Sequence, residues 1–262
     1  MSRELWLCSQ CRRQISVTAG TIFQDRHLPL PTWFRALWYV TSQKNGTSAL
    51  GVQRVLGIGS YETAWTWLHK LRRAMVRPGR DRLAAAVDVD ETYVGGPKSG
   101  KRGRGAAGKT LVVICAQHDG PRIGRIRLFL VADASGPSLE AVVQQAVEPG
   151  SVVCTDGWRG YNGVGKRGYE HQVVRPEAEL GENLLPRCHR VAALLKRWLL
   201  GTHQGAVSRD HLAYYLDEFT FRFNRRNSKS RGKLFYRLVQ QAVQIDAKPY
   251  AMLVRPQAVV AG

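Results

Sequence analysis

The sequence lacks the features that mark secreted and membrane proteins. Its first residues contain no apolar segment like that of a signal peptide, and no uninterrupted apolar run approaches the length that spans a bilayer. No lipidation motif is visible, and five scattered cysteines do not make a disulfide framework. We therefore expect a cytoplasmic protein whose thiols stay reduced.

Acidic residues are also scarce. The 262 residues include 20 Asp and Glu against 39 Lys and Arg, which gives a formal net charge of +19. Such an excess repels itself unless a polyanion relieves it, and nucleic acid is the commonest partner of that kind. A basic protein without such a partner and a membrane surface are the alternatives. Because the basic residues recur in clusters and no long basic amphipathic helix stands alone, we favour nucleic acid.

A short metal-binding motif and a helical region precede the rest of the chain. Cys8 and Cys11, followed by the stretch ISVTAGTIF, are typical of one knuckle and one strand of a zinc ribbon. Pro31 suits the start of a helix, and Ser60 can cap a later one with Glu62 close behind.

Two of these helices are joined by a short turn that contains glycine, as in a helix-turn-helix unit. A helical bundle without DNA contact is the alternative. If the unit does contact DNA, its second helix supplies three basic candidates: Lys70, Arg72 and Arg73.

After the linker VRPGRDR the apolar pattern changes to a period of two. Strands are predicted at residues 85–93, 110–116, 123–132, 151–155 and 171–174. Helices are predicted at residues 138–147, 185–200, 208–224 and 233–243. This order favours an α/β fold in which a mixed sheet carries helices packed on it. A basic, glycine-rich loop lies between the first two strands, and we expect three of its residues to follow DNA phosphates: Lys101, Arg102 and Arg104.

The run AAAVDVDETYVGG is the most informative in the sequence. Side chains alternate along a strand, so Val87 and Val89 face one way while Asp88 and Asp90 face the other. Burying two carboxylates is costly unless something compensates them, and a bound cation would do so. A polar strand surface that faces solvent is the alternative.

Two further segments supply polar groups of the same kind. Asp156 ends an apolar strand and precedes Gly157, and ligands of α/β sheets collect near strand ends. His189 and Lys196 are seven residues apart, which places them on one helix face. Taken singly, Asp156 could belong to a simple turn and His189 could be a surface or capping histidine. Together with Asp90, they predict a Mg²⁺ or Mn²⁺ site, with Asp88 as a secondary ligand candidate.

These motifs, in this order, resemble bacterial insertion-sequence transposases of the ISXO-like, zinc-ribbon class. The resemblance covers nearly the whole chain, through CRRQISVTAGTIF, LHKLRRAM, VDVDETYVGG, TDGWRGY, CHRVAALLKRWLLGTHQG and HLAYYLDEFTFRFNRR. It implies an RNase H-like catalytic domain with a triad of the DDE type. By position, Asp90 and Asp156 match the two catalytic aspartates, and Lys196 matches the lysine that follows the third member. His189 stands where other members carry Glu, Asn or His.

The resemblance also implies a function and an organisation. The N-terminal module would bind terminal inverted repeats in double-stranded DNA, and the catalytic domain would hydrolyse a phosphodiester and join the freed 3′-hydroxyl to target DNA. We expect a homodimer or larger multimer on DNA, associated with the bacterial nucleoid. Basic residues near the end of a late helix would hold the DNA backbone: Arg222, Arg225 and Arg226. For Arg225 and Arg226, a charge cluster at a helix C-terminus is the alternative.

One departure from the family concerns zinc. Members carry two Cys-x-x-Cys knuckles, whereas only Cys8 and Cys11 are present here. We expect an N-terminally truncated or decayed copy, with weak or no Zn²⁺ binding unless the missing half is supplied. The predicted domains are a partial zinc ribbon at 1–25, a helix-turn-helix module at 26–78, a catalytic domain at 79–245 and a tail at 246–262. A DNA-binding protein or repressor without catalysis and a structure-specific nuclease are the competing functions.

Overall fold

A computed structural model describes residues 5–77, 79–95, 109–174, 184–205 and 207–254. They fall into two compact units, each of which is described by itself below. The first unit contains the described residues up to 77 and those from 227 onward, and the second contains those between 79 and 226. Within the described ranges, no helix is both long and apolar enough to cross a membrane.

The first unit begins with two short strands and three helices: β1 (Leu5–Leu7), β2 (Gln14–Ser16), α1 (Leu30–Ser42), α2 (Ala49–Leu56) and α3 (Tyr61–Ala74). Strands β1 and β2 form an antiparallel hairpin whose turn carries Cys8 and Cys11 with exposed side chains. The predicted cap of α3 is confirmed, because Ser60 Oγ accepts a hydrogen bond from the Thr63 amide. Trp33 of α1 stacks on Trp67 of α3 with ring centroids 3.9 Å apart, so aromatic packing forms this core.

The second unit is a sheet with helices on both faces: β3 (Ala86–Val94), β4 (Thr110–Asp119), β5 (Arg122–Val131), α4 (Gly136–Ala146), β6 (Val152–Thr155), β7 (Glu170–Val173), α5 (Pro186–His203) and α6 (Leu212–Asn224). The strand order is β5-β4-β3-β6-β7. Strand β3 pairs antiparallel with β4 and parallel with β6, so the sheet is mixed. The predicted α/β class is confirmed, and the order is that of an RNase H-like fold.

Alternation along β3 divides the sheet into two cores. Val87 and Val89 are fully buried on the face that α4 covers, together with Leu139. The opposite face packs under α5 and α6, where Val191 and Leu195 of α5 are fully buried. Burial of each such side chain contributes about 1.5–3 kcal/mol to the stability of the folded unit. As predicted, Asp88 and Asp90 lie on the face opposite the two valines, and this is the face that α5 covers.

The last helices, α7 (Arg231–Ala242) and α8 (Tyr250–Val254), belong to the first unit. Here the structure differs from the predicted boundary at residue 245, which placed α7 in the catalytic domain. Helix α7 buries Leu234 and Leu238 and packs against α1 and α3. Its Phe235 meets Trp38 of α1 edge to face, with ring centroids 5.8 Å apart. The aromatic surface of α1 therefore determines where α7 packs, and α6 is the last helix of the sheet unit.

Candidate active site

The two predicted catalytic aspartates lie at the same edge of the sheet. In the parallel pairing of β3 and β6, Asp88 is the partner of Cys154. Asp90 follows two residues after Asp88 on the same face of β3, and Asp156 directly follows the last residue of β6. Gly157 has a φ of +82°, a conformation that side-chain-bearing residues rarely adopt, and it turns the chain directly after Asp156. The Trp158 amide donates to Asp156 Oδ1 at 2.9 Å and fixes the carboxylate in this turn.

Helix α5 brings the third predicted residue to this edge. Pro186 opens the helix, and the buried Cys188 donates a hydrogen bond from Sγ to the Asp88 carbonyl oxygen at 3.3 Å. This contact fixes the rotation of the first turn against β3. His189 therefore projects over the strand, with Nε2 3.1 Å from Asp90 Oδ2.

The three side chains offer a donor set that fits a divalent cation. Two carboxylates and an imidazole are suitable ligands for Mg²⁺ or Mn²⁺, which complete their coordination with water and substrate oxygens. The site opens to solvent on the side of His189, whose side chain is 53% exposed, whereas that of Asp90 is only 13% exposed. An open site of this kind leaves room for a phosphate group.

A buried tyrosine lies close to these carboxylates and was missed in the sequence. Tyr161 is fully buried, and its hydroxyl forms no hydrogen bond with a described residue. Burial raises the pKa of Tyr161, and the nearby charges of Glu91 and Asp90 raise it further. The negative charge of the site thus reaches a buried group below the partly buried Asp90.

Lys196 lies two turns after His189 on α5, and its side chain is exposed. Partial burial of its ammonium lowers the pKa of Lys196, and the positive charge of Lys109 lowers it further. Two like charges in one neighbourhood favour the binding of an anion, because an anion relieves their repulsion. The phosphate contact of Lys196 stays a prediction.

Asp88 occupies a different environment from the one predicted. Its side chain is buried, with Oδ1 2.5 Å from His118 Nε2 and Oδ2 3.5 Å from Arg187 Nη1. Because Asp88 is 3% exposed and a magnesium ion in this site would have to meet a DNA phosphate, we drop Asp88 from the magnesium ligands. His118, Arg187 and the adjacent Cys154 were missed as its neighbours. One signal was in the sequence, because Cys154 precedes Asp156 by the same two residues that separate Asp88 from Asp90.

Several predicted DNA contacts are instead engaged within the protein. Arg72 is 2% exposed, and its Nη1 lies 3.4 Å from His69 Nε2 in the core of the first unit. Arg222 donates to the buried Glu218 carboxylate at 2.7 Å. We withdraw both residues as DNA contacts, because a guanidinium held in this way cannot reach a phosphate without losing its internal partner.

The remaining basic candidates divide into three groups. Arg225 and Arg226 stack on Phe221 and Phe223, with each guanidinium carbon 4.1 Å from the ring centroid, which supports the alternative that they stabilise the end of α6. Two candidates are half-buried on α3: Lys70 and Arg73. Three candidates of the glycine-rich loop lie outside the described residues: Lys101, Arg102 and Arg104.

An RNase H-like sheet with Asp90 within the central strand β3 and Asp156 directly after the neighbouring strand β6 defines the class of the protein. Residues 82–224 match the ISXO2-like transposase domain, and the chain belongs to this family. The chain is also 27% identical over 236 residues to a protein of Halobacterium salinarum described as "Uncharacterized protein in transposable element ISH50". That match covers 83% of this chain and 77% of the relative. The protein is therefore a transposase of an insertion sequence, it acts on DNA, and its family generally uses a divalent metal ion.

Proposed function

We propose that this transposase cleaves DNA at the terminal inverted repeats of its element and joins the freed 3′-hydroxyl ends to target DNA. The observation that carries the proposal is the contact between Asp90 Oδ2 and His189 Nε2, 3.1 Å long, at the open edge of the sheet. Asp156 directly follows the last residue of the neighbouring strand β6. A protein that only bound DNA would have no need of these groups at one exposed position.

Each residue has a distinct role in the proposal. Asp90, Asp156 and His189 hold one or two divalent ions, Mg²⁺ or Mn²⁺. When bound, such ions lower the pKa of water and offset the charge that develops on a phosphate during displacement. The Trp158 amide and the start of α5 keep Asp156 and His189 in position. Lys196 contacts a phosphate near the scissile bond and orients the strand.

The rest of the chain would supply DNA affinity. A formal net charge of +19 favours a sequence-independent attraction to the phosphate backbone, which weakens as the salt concentration rises. In the first unit, Lys70 and Arg73 on α3 remain the candidates for contact with the inverted repeat. Joining two ends requires both ends in one complex, so we expect at least a dimer on DNA.

The test is cleavage of a labelled duplex that carries the inverted repeat of the element and its flanking DNA. We expect a nick that leaves a 3′-hydroxyl, requires Mg²⁺ or Mn²⁺, and is followed by joining to a supercoiled plasmid. Asp90→Asn should lower the rate at least about 10³-fold, since metal-ion catalysis supplies several kcal/mol. Glu148→Gln is the matched control, because Glu148 is an exposed carboxylate and should leave the rate unchanged.

Other outcomes would favour the competing functions. Binding of the repeat without any cleavage, in either metal, would indicate a DNA-binding protein without catalysis. Cleavage without preference for the repeat and without joining would indicate a structure-specific nuclease.

A further inference from the structure

A second group of metal-ligating side chains lies in the sheet unit, apart from the proposed catalytic ligands. Asp88 of β3, His118 of β4 and Cys154 of β6 each place one donor atom within 4.8 Å of the other two. The three strands are neighbours in the order β4-β3-β6. The group therefore spans the centre of the sheet. Asp88 and Cys154 each precede one of the proposed catalytic aspartates by two residues.

Strand pairing explains why these three residues meet. Asp88 is the direct partner of Cys154 in β6 and of Ala116 in β4. His118 lies two residues beyond Ala116 on the same face, which makes it a diagonal neighbour of Asp88. The positions follow from the backbone register of the sheet, so the donors are held by rigid elements rather than by loops.

The group is mostly closed to solvent. Asp88 is 3% exposed and Cys154 is 7% exposed, whereas the His118 side chain is 27% exposed. Asp88 Oδ2 is buried and accepts no hydrogen bond from a described residue, and the nearest cation, Arg187 Nη1, is 3.5 Å away. The Arg187 contact is longer than an ordinary hydrogen bond, so the buried carboxylate as a whole is only partly compensated, and a cation bound to it would complete the compensation. Solvent and ions can reach the group from the side of His118.

The donor types differ from those of the catalytic edge. Sulfur, imidazole nitrogen and carboxylate oxygen together are ligands of Zn²⁺, which takes four of them at about 2.0–2.3 Å. Mg²⁺ favours oxygen and seldom accepts sulfur. The sulfur ligand therefore gives this group a preference for Zn²⁺ over Mg²⁺ that the catalytic edge lacks.

We propose that Asp88, His118 and Cys154 form a zinc-type site that ties the three central strands together below the catalytic edge. Binding replaces the contact between His118 and Asp88 Oδ1 with two metal–ligand bonds. The Cys154 thiol releases its proton to solvent, and a water molecule on the His118 side is the fourth ligand. The charges of the ion, the thiolate and the Asp88 carboxylate sum to zero, while Arg187 stays beside Oδ2.

The site would position the catalytic residues through the backbone. Asp90 and Asp156 each lie two residues beyond a ligand on the same two strands, β3 and β6. Holding Asp88 and Cys154 to one ion fixes the spacing of those strands immediately before the edge. The alternative is that His118 and Asp88 form only a direct ion pair. Cys154 takes no part in such a pair, so a variant of Cys154 distinguishes the metal site from the ion pair.

The experiment uses Co²⁺ as a spectroscopic substitute for Zn²⁺. The full chain carries Cys8→Ser and Cys11→Ser, so that the exposed pair of the first unit does not bind the probe, and metals are removed with a chelator. Titration with Co²⁺ should produce a thiolate-to-cobalt charge-transfer band and the intense visible bands of a tetrahedral ion. Both should persist in excess Mg²⁺.

Two variants and one control locate the site. Cys154→Ser should abolish the charge-transfer band, and His118→Gln should weaken Co²⁺ binding at least about tenfold. Cys115→Ser is the matched control, because Cys115 is equally buried on β4 but faces the core under α4. It should leave the band unchanged.

The proposal is overturned if saturating Co²⁺ gives no thiolate band, or if the band survives Cys154→Ser. His118→Gln keeps the test decisive should Cys154→Ser fail to fold, since the His118 side chain is partly exposed. An unaltered Co²⁺ affinity in His118→Gln also overturns the site. None of these measurements involves DNA cleavage. The test of the zinc-type site is therefore independent of the test of the transposition chemistry.

Discussion

Asp88 and Asp90 lie two residues apart on the same face of β3, yet their carboxylates meet opposite surroundings. The Asp90 carboxylate reaches the open edge of the sheet, where it contacts the exposed His189. The Asp88 carboxylate is enclosed between His118 and Arg187 and touches almost no solvent. One strand thus carries one carboxylate suited to binding a substrate and its metal, and another suited to holding the sheet together.

The difference lies in the position along the strand rather than in the residue type. Alternation sends both side chains to the face covered by α5, and each meets a different residue of the first turn of that helix. Asp90 meets His189, whose side chain is 53% exposed. Asp88 is met by Arg187, whose Nη2 also donates to the Gly120 carbonyl oxygen at 2.9 Å. The comparison therefore predicts that loss of Asp88 lowers the stability of the fold, whereas loss of the edge carboxylates weakens the binding of Mg²⁺ or Mn²⁺.

The largest expected effect is on stability. Asp88→Asn keeps the shape of the side chain but removes the negative charge beside Arg187 and His118, and should lower the free energy of unfolding by about 3 kcal/mol. Urea unfolding in the presence of a chelator measures this loss. Asp90→Asn is the matched control, and should change stability by less than about 0.5 kcal/mol. Equal losses in the two variants would remove the proposed contrast.

The next effect is on metal affinity. Asp156→Ala should weaken Mn²⁺ binding at least about 100-fold in calorimetry, since it removes a direct ligand. Asp88→Asn, measured below its unfolding temperature, should bind Mn²⁺ as the wild type does. If the wild-type protein takes up no Mn²⁺, or if Asp156→Ala binds it equally well, the edge carboxylates do not form a ready metal site.

Much of the sheet unit could be predicted because its signals are local. The period-two run around Asp88 and Asp90 predicted β3 and the faces of its side chains, and the structure confirms both. The turn at Gly157 and the seven-residue spacing on α5 predicted where Asp156 and Lys196 would lie. Residues of this kind are positioned by their own element, so a single segment carries enough information.

Partners set by distant segments could not be predicted in this way. Arg226 looks like an ordinary basic residue of a helix end, but its Nη1 donates to the carbonyl oxygen of Gly124 in β5, 102 positions earlier in the chain. The partners of Asp88 come from β4 and α5, 30 and 99 positions further along the chain. Strand register and helix docking create these contacts, and neither appears in the local pattern.

Asp217 is a third carboxylate to compare with Asp88 and Asp90, because positive groups offset the cost of its burial less completely than they do for Asp88. Burial raises the pKa of Asp217 to about 7, although the charge of Arg80 acts in the opposite direction. The unfolded chain ionises near pH 4 while the folded chain retains the proton up to about pH 7, so stability falls as the pH rises through this window. The full shift corresponds to about 4 kcal/mol, which we reduce to about 2 kcal/mol because the side chain keeps some solvent contact.

Asp217→Asn should therefore flatten the pH profile. In urea unfolding, the free energy of unfolding of Asp217→Asn should exceed that of the wild type by an amount that grows between pH 5 and pH 8, toward about 2 kcal/mol. A constant difference between the two proteins across that range would mean that Asp217 ionises in the folded state as it does in the unfolded one.

The smallest effect concerns the charge that faces the edge site from α5. Lys196 is exposed beside Lys109, and a phosphate bound there would displace about one counterion. Lys196→Gln should reduce the slope of log affinity against log salt by about 1 while the preference between DNA sequences stays the same. Arg197→Gln removes an equally exposed charge from the next position of α5, about a quarter turn away. If both variants lower the slope equally, the helix attracts DNA only through its overall charge. If only Lys196→Gln lowers it, Lys196 contacts one DNA phosphate near the edge where Asp90 and His189 meet.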